Sequence, residues 1–297
     1  MPHDLFIPTV CMSRLRSRQS SLDKRWLTTL LALALLASSL NLNAQYGRRF
    51  GKPEGERAGV PEWNLQAAFR PDVFTFVRIF YGSYSDSYGR WGKKCMIDHP
   101  ESDLNFSYRL EELTSLKVDP DGKVVSLTDP DLFNYPFVYL IEPGEMVLQK
   151  EERNALRKYL LGGGFMMIDD FWGPSEYENL RLELSRVFPD REPKDIPIEH
   201  PIFNFVFPLE EKPQIPNVGR GTDSQFDGIT FERWDAQTPF YKGMWDDKER
   251  LMMVICHNTD LGDGWEWEGA NQYYFKEFSE KKAYPLGINI VMYALTH

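Results

Sequence analysis

The chain has 297 residues, 42% of them hydrophobic, 26% charged, and a formal net charge of −10 at pH 7. A chain of this length buries a sizeable core in one domain, or in one domain with a large insertion. Its acidic surface argues against nucleic acid and anionic lipid headgroups as partners.

At the amino end, five basic residues (Arg14, Arg16, Arg18, Lys24 and Arg25) precede the uncharged run WLTTLLALALLASSLNLN at residues 26–43, which closes on Ala44. This is the layout of a secretory signal peptide. Its strongly apolar part, residues 27–40, is shorter than the ~20 residues a spanning helix needs, so cleavage after Ala44 is predicted, with export to periplasm or medium and no membrane span afterwards. Loss of residues 1–44 takes the net charge from −10 to −13. Residues 45–62 read as a disordered leader, being aperiodic and Gly-rich, and residues 63–297 as a single α/β domain.

FTFVRIFY (residues 74–81) predicts the first strand, YRLEELTSL (108–116) a helix, and KVVSL (123–127) a short strand behind the turn DPDG. PFVYLIEPG is an apolar strand stopped by Pro143 and Gly144. In LQKEERNALRKYLLGGG, Leu148, Ala155, Leu156, Tyr159 and Leu160 recur at helical spacing, and Gly162, Gly163 and Gly164 end the helix. FMMIDD is the next strand and YENLRLELSRVF the next helix. Strand, helix, strand, helix with nearly continuous apolar strands implies a parallel sheet covered on both faces. Beyond it lies a Pro- and Gly-rich passage that includes KPQIPNVGRGTDSQFDG. ITFERW and LMMVICHN then return to strand character, and AYPLGINIVMYALTH predicts a closing helix with Leu286, Ile290, Val291 and Ala294 on its apolar face.

Asp169 and Asp170 therefore fall at the carboxyl end of a central parallel strand, where open α/β sheets place their binding crevices. Glu142 ends the preceding strand, and Asn258 with Asp260 follows LMMVIC in the same way. If the three strands are neighbours, their ends converge on one site.

YPFVYLIEPG, LRKYLLGGGFMMIDDFWG, RVFPDR, HPIF, CHNTDLGDGWE and YPLGINIVMYALTH, in this order, resemble the bacterial domain-of-unknown-function family 4159. The resemblance covers the chain from about Trp63, and its GG-F-x-x-x-DD-F-W-G and N-x-DLG-D-x-W elements are specific. It implies the fold of class I glutamine amidotransferases, a flavodoxin-like doubly wound sheet with helices on both faces, without implying a reaction.

Amidotransferase chemistry needs a cysteine on a sharp strand-to-helix turn with a histidine to keep it ionised. No cysteine or serine follows the GGGFMMI strand. Cys256 and His257 end a strand, but their flanks, Ile255 and Asn258, lack the glycines of such a turn, and neighbours on a strand face opposite ways. Cys256 is therefore expected not to be a nucleophile. Cys95 and Cys256 would be a disulfide pair or two buried thiols.

Glu142, Asp169, Asp170, Asp260 and Asp263 offer oxygen ligands for a hard cation, with Asp169, Asp170 and Asp260 the leading metal candidates, and His200 could add an imidazole. Asp169 and Asp170 could instead cap the following helix. Phe171, Trp172, Trp265 and Trp267 lie beside the same acidic loops, and rings next to carboxylates suit sugars. Two functions are compatible with these residues. One is a binding module that lost its nucleophile and holds a glycan, peptide or cell-envelope protein through Glu142, Asp170, Phe171, Trp172, Asn258, Asp260, Asp263 and Trp265. The other is a hydrolase in which Asp169, Asp170 or His200 acts as general base or metal ligand. The residues specify no cofactor.

Overall fold

A computed structural model of the chain describes residues 57, 59–65, 72–85 and 94–297. The predicted signal peptide and most of the leader lie outside the described residues. The described residues belong to one compact unit, and no described helix is long and apolar enough to cross a membrane.

The centre is a seven-stranded sheet. Its strands are β2 (Val77–Phe80), β5 (Lys123–Ser126), β6 (Phe137–Ile141), β8 (Phe165–Asp169), β9 (Lys194–Asp195), β10 (Phe240–Trp245) and β11 (Leu251–His257). The spatial order is β5-β2-β6-β8-β11-β10-β9. The first five run parallel, and β10 returns antiparallel beside β11 to carry the two-residue edge strand β9. Short pairs join β1 (Val73–Phe74) to β4 (Lys117–Val118) and β3 (Gly82–Ser83) to β7 (Met146–Val147).

β6, β8 and β11 are buried along their whole length, as a parallel sheet covered on both faces requires. On one face lie α2 (Lys150–Leu161) and α3 (Gly173–Val187), which bury Leu156, Tyr159, Leu160, Leu180 and Leu184 against Val138, Leu140, Met166 and Ile168. On the other lie α1 (Glu101–Leu113), α4 (Val218–Asp227), α5 (Leu261–Glu266) and α6 (Tyr284–Thr296), packed on Phe137, Tyr139, Phe165, Met167 and Cys256. The closing helix predicted from AYPLGINIVMYALTH is α6, with Leu286, Ile290 and Val291 fully buried.

The structure corrects the reading of the second half twice. ITFERW forms no strand; residues 229–234 are irregular, and the strand beside β11 is β10. The passage read as Pro- and Gly-rich contains helix α4. Asn217 caps it by accepting from the Arg220 amide at 2.9 Å. Gly221 inside it is required by packing, because a Cβ there would lie 2.5 Å from the Tyr274 ring. The glycine that lowers helix propensity at this position is thus what lets the helix dock on Tyr274.

Candidate functional site

The carboxyl ends of β6, β8 and β11 are adjacent, and each strand stops in the same way. The residue after it adopts the left-handed conformation: Glu142 at φ 53°, Asp170 at φ 51° and Asn258 at φ 61°. This conformation is uncommon for a residue with a Cβ, though asparagine and aspartate tolerate it best. The Glu142 amide donates to the Asp169 carbonyl at 3.1 Å and the Asn258 amide to the Phe171 carbonyl at 2.9 Å, so the three ends turn as one tied unit.

Asp169 has no exposed surface and Asp170 is 8% exposed. Oδ2 of Asp169 accepts from the Tyr139 hydroxyl at 3.0 Å and from the amides of Leu261 and Gly262 at 2.9 and 3.0 Å. Of the pair, Asp169 alone takes a capping role, at the start of α5 rather than of the helix that follows it. The amino end of α3 is served instead by Glu176, which accepts from the Trp172 amide at 2.7 Å. Burial raises the Asp169 carboxyl to about 7, against the pull of its tyrosine and amide donors. Asp170 accepts from Trp172 Nε1 at 3.3 Å. Burial, with Glu142 and Asp98 beside it, pushes its carboxyl well above the usual range.

The DLGDGW segment brings Asp260 and Asp263 to the same edge. Asp260 caps α5 by accepting from the Asp263 amide at 2.7 Å. Asp263 accepts from the Val218 amide at 2.7 Å and Trp267 Nε1 at 3.1 Å. Both carboxyls are raised well above normal, first by burial and then by neighbouring acids: Asp170 and Asp263 for Asp260, and Glu266 for Asp263. On the rim, half-buried Glu142 pairs with Lys94 at 2.8 Å.

Asp98, which the sequence reading passed over, completes the cluster. Its segment, residues 94–98, is held by the fully buried Arg78 on β2. That guanidinium donates to the carbonyls of Ile97 at 2.9 Å and Cys95 at 3.3 Å, to Ser102 Oγ at 2.9 Å, and to Asp103 Oδ2 at 3.0 Å. Asp98 is itself left-handed, at φ 62°. No periodicity marks DHPESD. The available signal was an arginine inside an otherwise apolar strand, FVRIF, which must find buried acceptors.

Other candidates serve elsewhere. Trp265 has no exposed surface and packs on Phe106, ring centroids 4.4 Å apart, so it is core and offers no face to a ligand. Phe171, 1% exposed, stacks on His257. Asn258 is a bracket: Oδ1 accepts from the Gly173 amide and Nδ2 donates to the Thr238 carbonyl, both at 2.8 Å. His200 does not join the acids. It packs against Tyr293, which packs on Phe165 at the amino end of β8, the opposite end of the sheet. Among the expected aromatic walls, Trp172, 6% exposed, is the one beside Asp170.

Cys256 and His257 point to opposite faces. Cys256 sits in the core beneath α5 and α6, its thiol pushed up by burial. His257 stacks between Phe171 and Tyr177, with Nε2 3.0 Å from the Gly173 carbonyl, and burial lowers it to about 4. The two cannot form a nucleophile–base pair. Cys95 and Cys256 belong to the cores on opposite faces of the sheet and form no disulfide with each other.

Fold and edge together define a mixed α/β protein with a mostly parallel sheet and an acid-lined carboxyl edge. Residues 75–295 match the family described as a domain of unknown function, DUF4159, and the chain belongs to that family. No curated protein matches it.

Proposed function

We propose that the protein is an exported binding module on a flavodoxin-like, amidotransferase-like sheet that lacks the amidotransferase nucleophile. Its acidic edge receives a group rich in hydrogen-bond donors or positive charge on a glycan, peptide or cell-envelope protein. The five parallel strands run in the order 2-1-3-4-5 by their sequence along the chain, the order of doubly wound folds that bind ligands where the topology switches. Here the switch lies between β2 and β6. The observation that carries the reading is the run of left-handed Glu142, Asp170 and Asn258 across three adjacent strand ends, since sparsely populated backbone conformations cluster where function requires them. The buried, opposed placement of Cys256 and His257 favours binding over acyl transfer.

A thermal-shift screen of the purified protein against peptidoglycan fragments, neutral glycans and cationic peptides tests this, because a ligand of the folded state raises its stability by mass action. Glu142→Gln and Asp170→Asn should weaken any hit while leaving the fold intact. A second reading, hydrolysis with Asp169 as proton carrier, is favoured by one observation, its carboxyl being held at about 7. Turnover of an ester, glycoside or amide that Asp169→Asn abolishes in a folded protein would establish that reading and overturn the first.

A further inference from the structure

Asp98, Asp260 and Asp263 each bring a carboxylate oxygen to a common point, all within 4.8 Å of one another. Oδ2 of Asp98 is shut off from solvent and accepts no hydrogen bond. It rests against Gly262, where a Cβ would lie 2.5 Å from it. Gly262 stands between Asp260 and Asp263 in the chain, so this oxygen points into the cluster. The Asp169 carboxylate borders the same glycine through its bond to the Gly262 amide, and its Oδ1 is likewise buried without a partner. Two desolvated carboxylate oxygens without donors, on neighbouring acids, call for charge from another source.

We propose that Asp98, Asp260 and Asp263 hold a calcium-sized divalent cation at the carboxyl edge of the sheet, with Asp169 bordering it.

The ligand set favours the larger ion: Ca²⁺ accepts several protein carboxylates in a flexible shell, whereas Mg²⁺ keeps most of its waters and is held by one or two carboxylates, and here three converge. All three are oxygen donors, the chemistry of a hard cation. Among the described residues, the nearby positive side chains are already committed: Arg78 to Asp103 and Lys94 to Glu142. Gly262 is needed here because any larger residue would drive a methyl into the Asp98 oxygen.

This site goes beyond the binding reading and requires no organic ligand, so it is tested with the ions alone. The full chain is stripped with a chelator and titrated with Ca²⁺ and with Mg²⁺ by calorimetry and thermal shift. It is also titrated with Tb³⁺, whose luminescence is excited through Trp267, the ring that donates to Asp263. The expected result is one ion per chain, Ca²⁺ bound more tightly than Mg²⁺, a Tm that climbs with Ca²⁺ concentration, and terbium emission that Ca²⁺ quenches by displacement. Asp98→Asn should weaken binding by an order of magnitude or more. Asp260→Asn should do the same, and because asparagine caps a helix as well as aspartate it keeps the fold if Asp98→Asn does not. Asp195→Asn, on the exposed edge strand, should bind as the parent does. Absence of saturable binding to the stripped parent at millimolar Ca²⁺, or parental affinity in both folded variants, overturns the proposal. Either outcome leaves glycan or peptide binding to be judged by its own screen.

Discussion

Tyr139 and Asp169 stand on adjacent strands, and the tyrosine hydroxyl donates to the carboxylate at 3.0 Å. With the amides of Leu261 and Gly262 on the same oxygen, one side chain fastens β6 and β8 to the start of α5. Asp169→Asn preserves these bonds only if its amide oxygen takes the Oδ2 position, which puts an N–H₂ group in the buried place of Oδ1. A loss of about 1–3 kcal/mol is expected in urea unfolding, and about 1 kcal/mol for Tyr139→Phe. Unfolding curves identical to the parent for both would show that the contact anchors nothing.

Stability should fall as pH rises through neutrality. The Asp169 carboxyl is raised from 3.8 to about 7 in the fold. The folded state therefore holds a proton that the unfolded chain releases, so this group stabilises fully below about 4 and loses that contribution as pH climbs toward and past 7. Its share is at most about 4 kcal/mol, and Asp98, Asp170, Asp260 and Asp263 are shifted in the same direction. Denaturation at pH 7, 7.5 and 8 in the presence of chelator checks the slope, above the range in which the lowered His257 adds stability with rising pH. A free energy that rises across this range contradicts it.

Asp170 should separate backbone from charge. Asparagine accepts the left-handed conformation nearly as well as aspartate and removes a carboxylate repelled by Glu142 and Asp98. Asp170→Asn is therefore expected to melt at the parental temperature or above while weakening any ligand at the rim. Asp170→Val, with a branched side chain at φ 51°, should cost about 1–2 kcal/mol. If Asp170→Asn unfolds the protein while Asp169→Asn spares ligand binding, the pair is scaffolding.

Cys95 and Cys256 are both buried, and burial holds the Cys256 thiol protonated. Iodoacetamide at neutral pH should label neither at an appreciable rate until denaturant is added, because the thiolate is the reactive species. Fast alkylation of Cys256 in the folded protein, with loss of ligand binding, would return it to the list of nucleophiles.

Much of this arrangement could be read from the residues. An apolar strand that stops on an acid or amide has few places to put that group except a sheet edge, and three such strands in succession, ending at Glu142, Asp169 and Asn258, indicate which edge. Trp265 misled because chain neighbourhood is not spatial exposure: α5 is one short helix, and the residue two positions past Asp263 turns inward toward Phe106. Asp98 was hidden for the opposite reason. Its position depends on Arg78, twenty residues earlier, and on a turn whose composition is that of any polar loop. His200 looked suitable by type alone, and its packing on Tyr293, which lies against Phe165 at the amino end of β8, places it at the wrong end of the sheet.

The outer edges of the sheet have a bearing on solubility. On one side the last strand, β9, is two exposed residues long, Lys194 and Asp195, with Asp195 paired to Lys242 at 2.7 Å. On the other, β5 opens with Lys123, paired to Asp131 at 2.9 Å. Short, charged borders give a second molecule little ladder to extend, so chains crowded together are steered away from ribbon-like stacking even though the strands between those borders are almost wholly apolar.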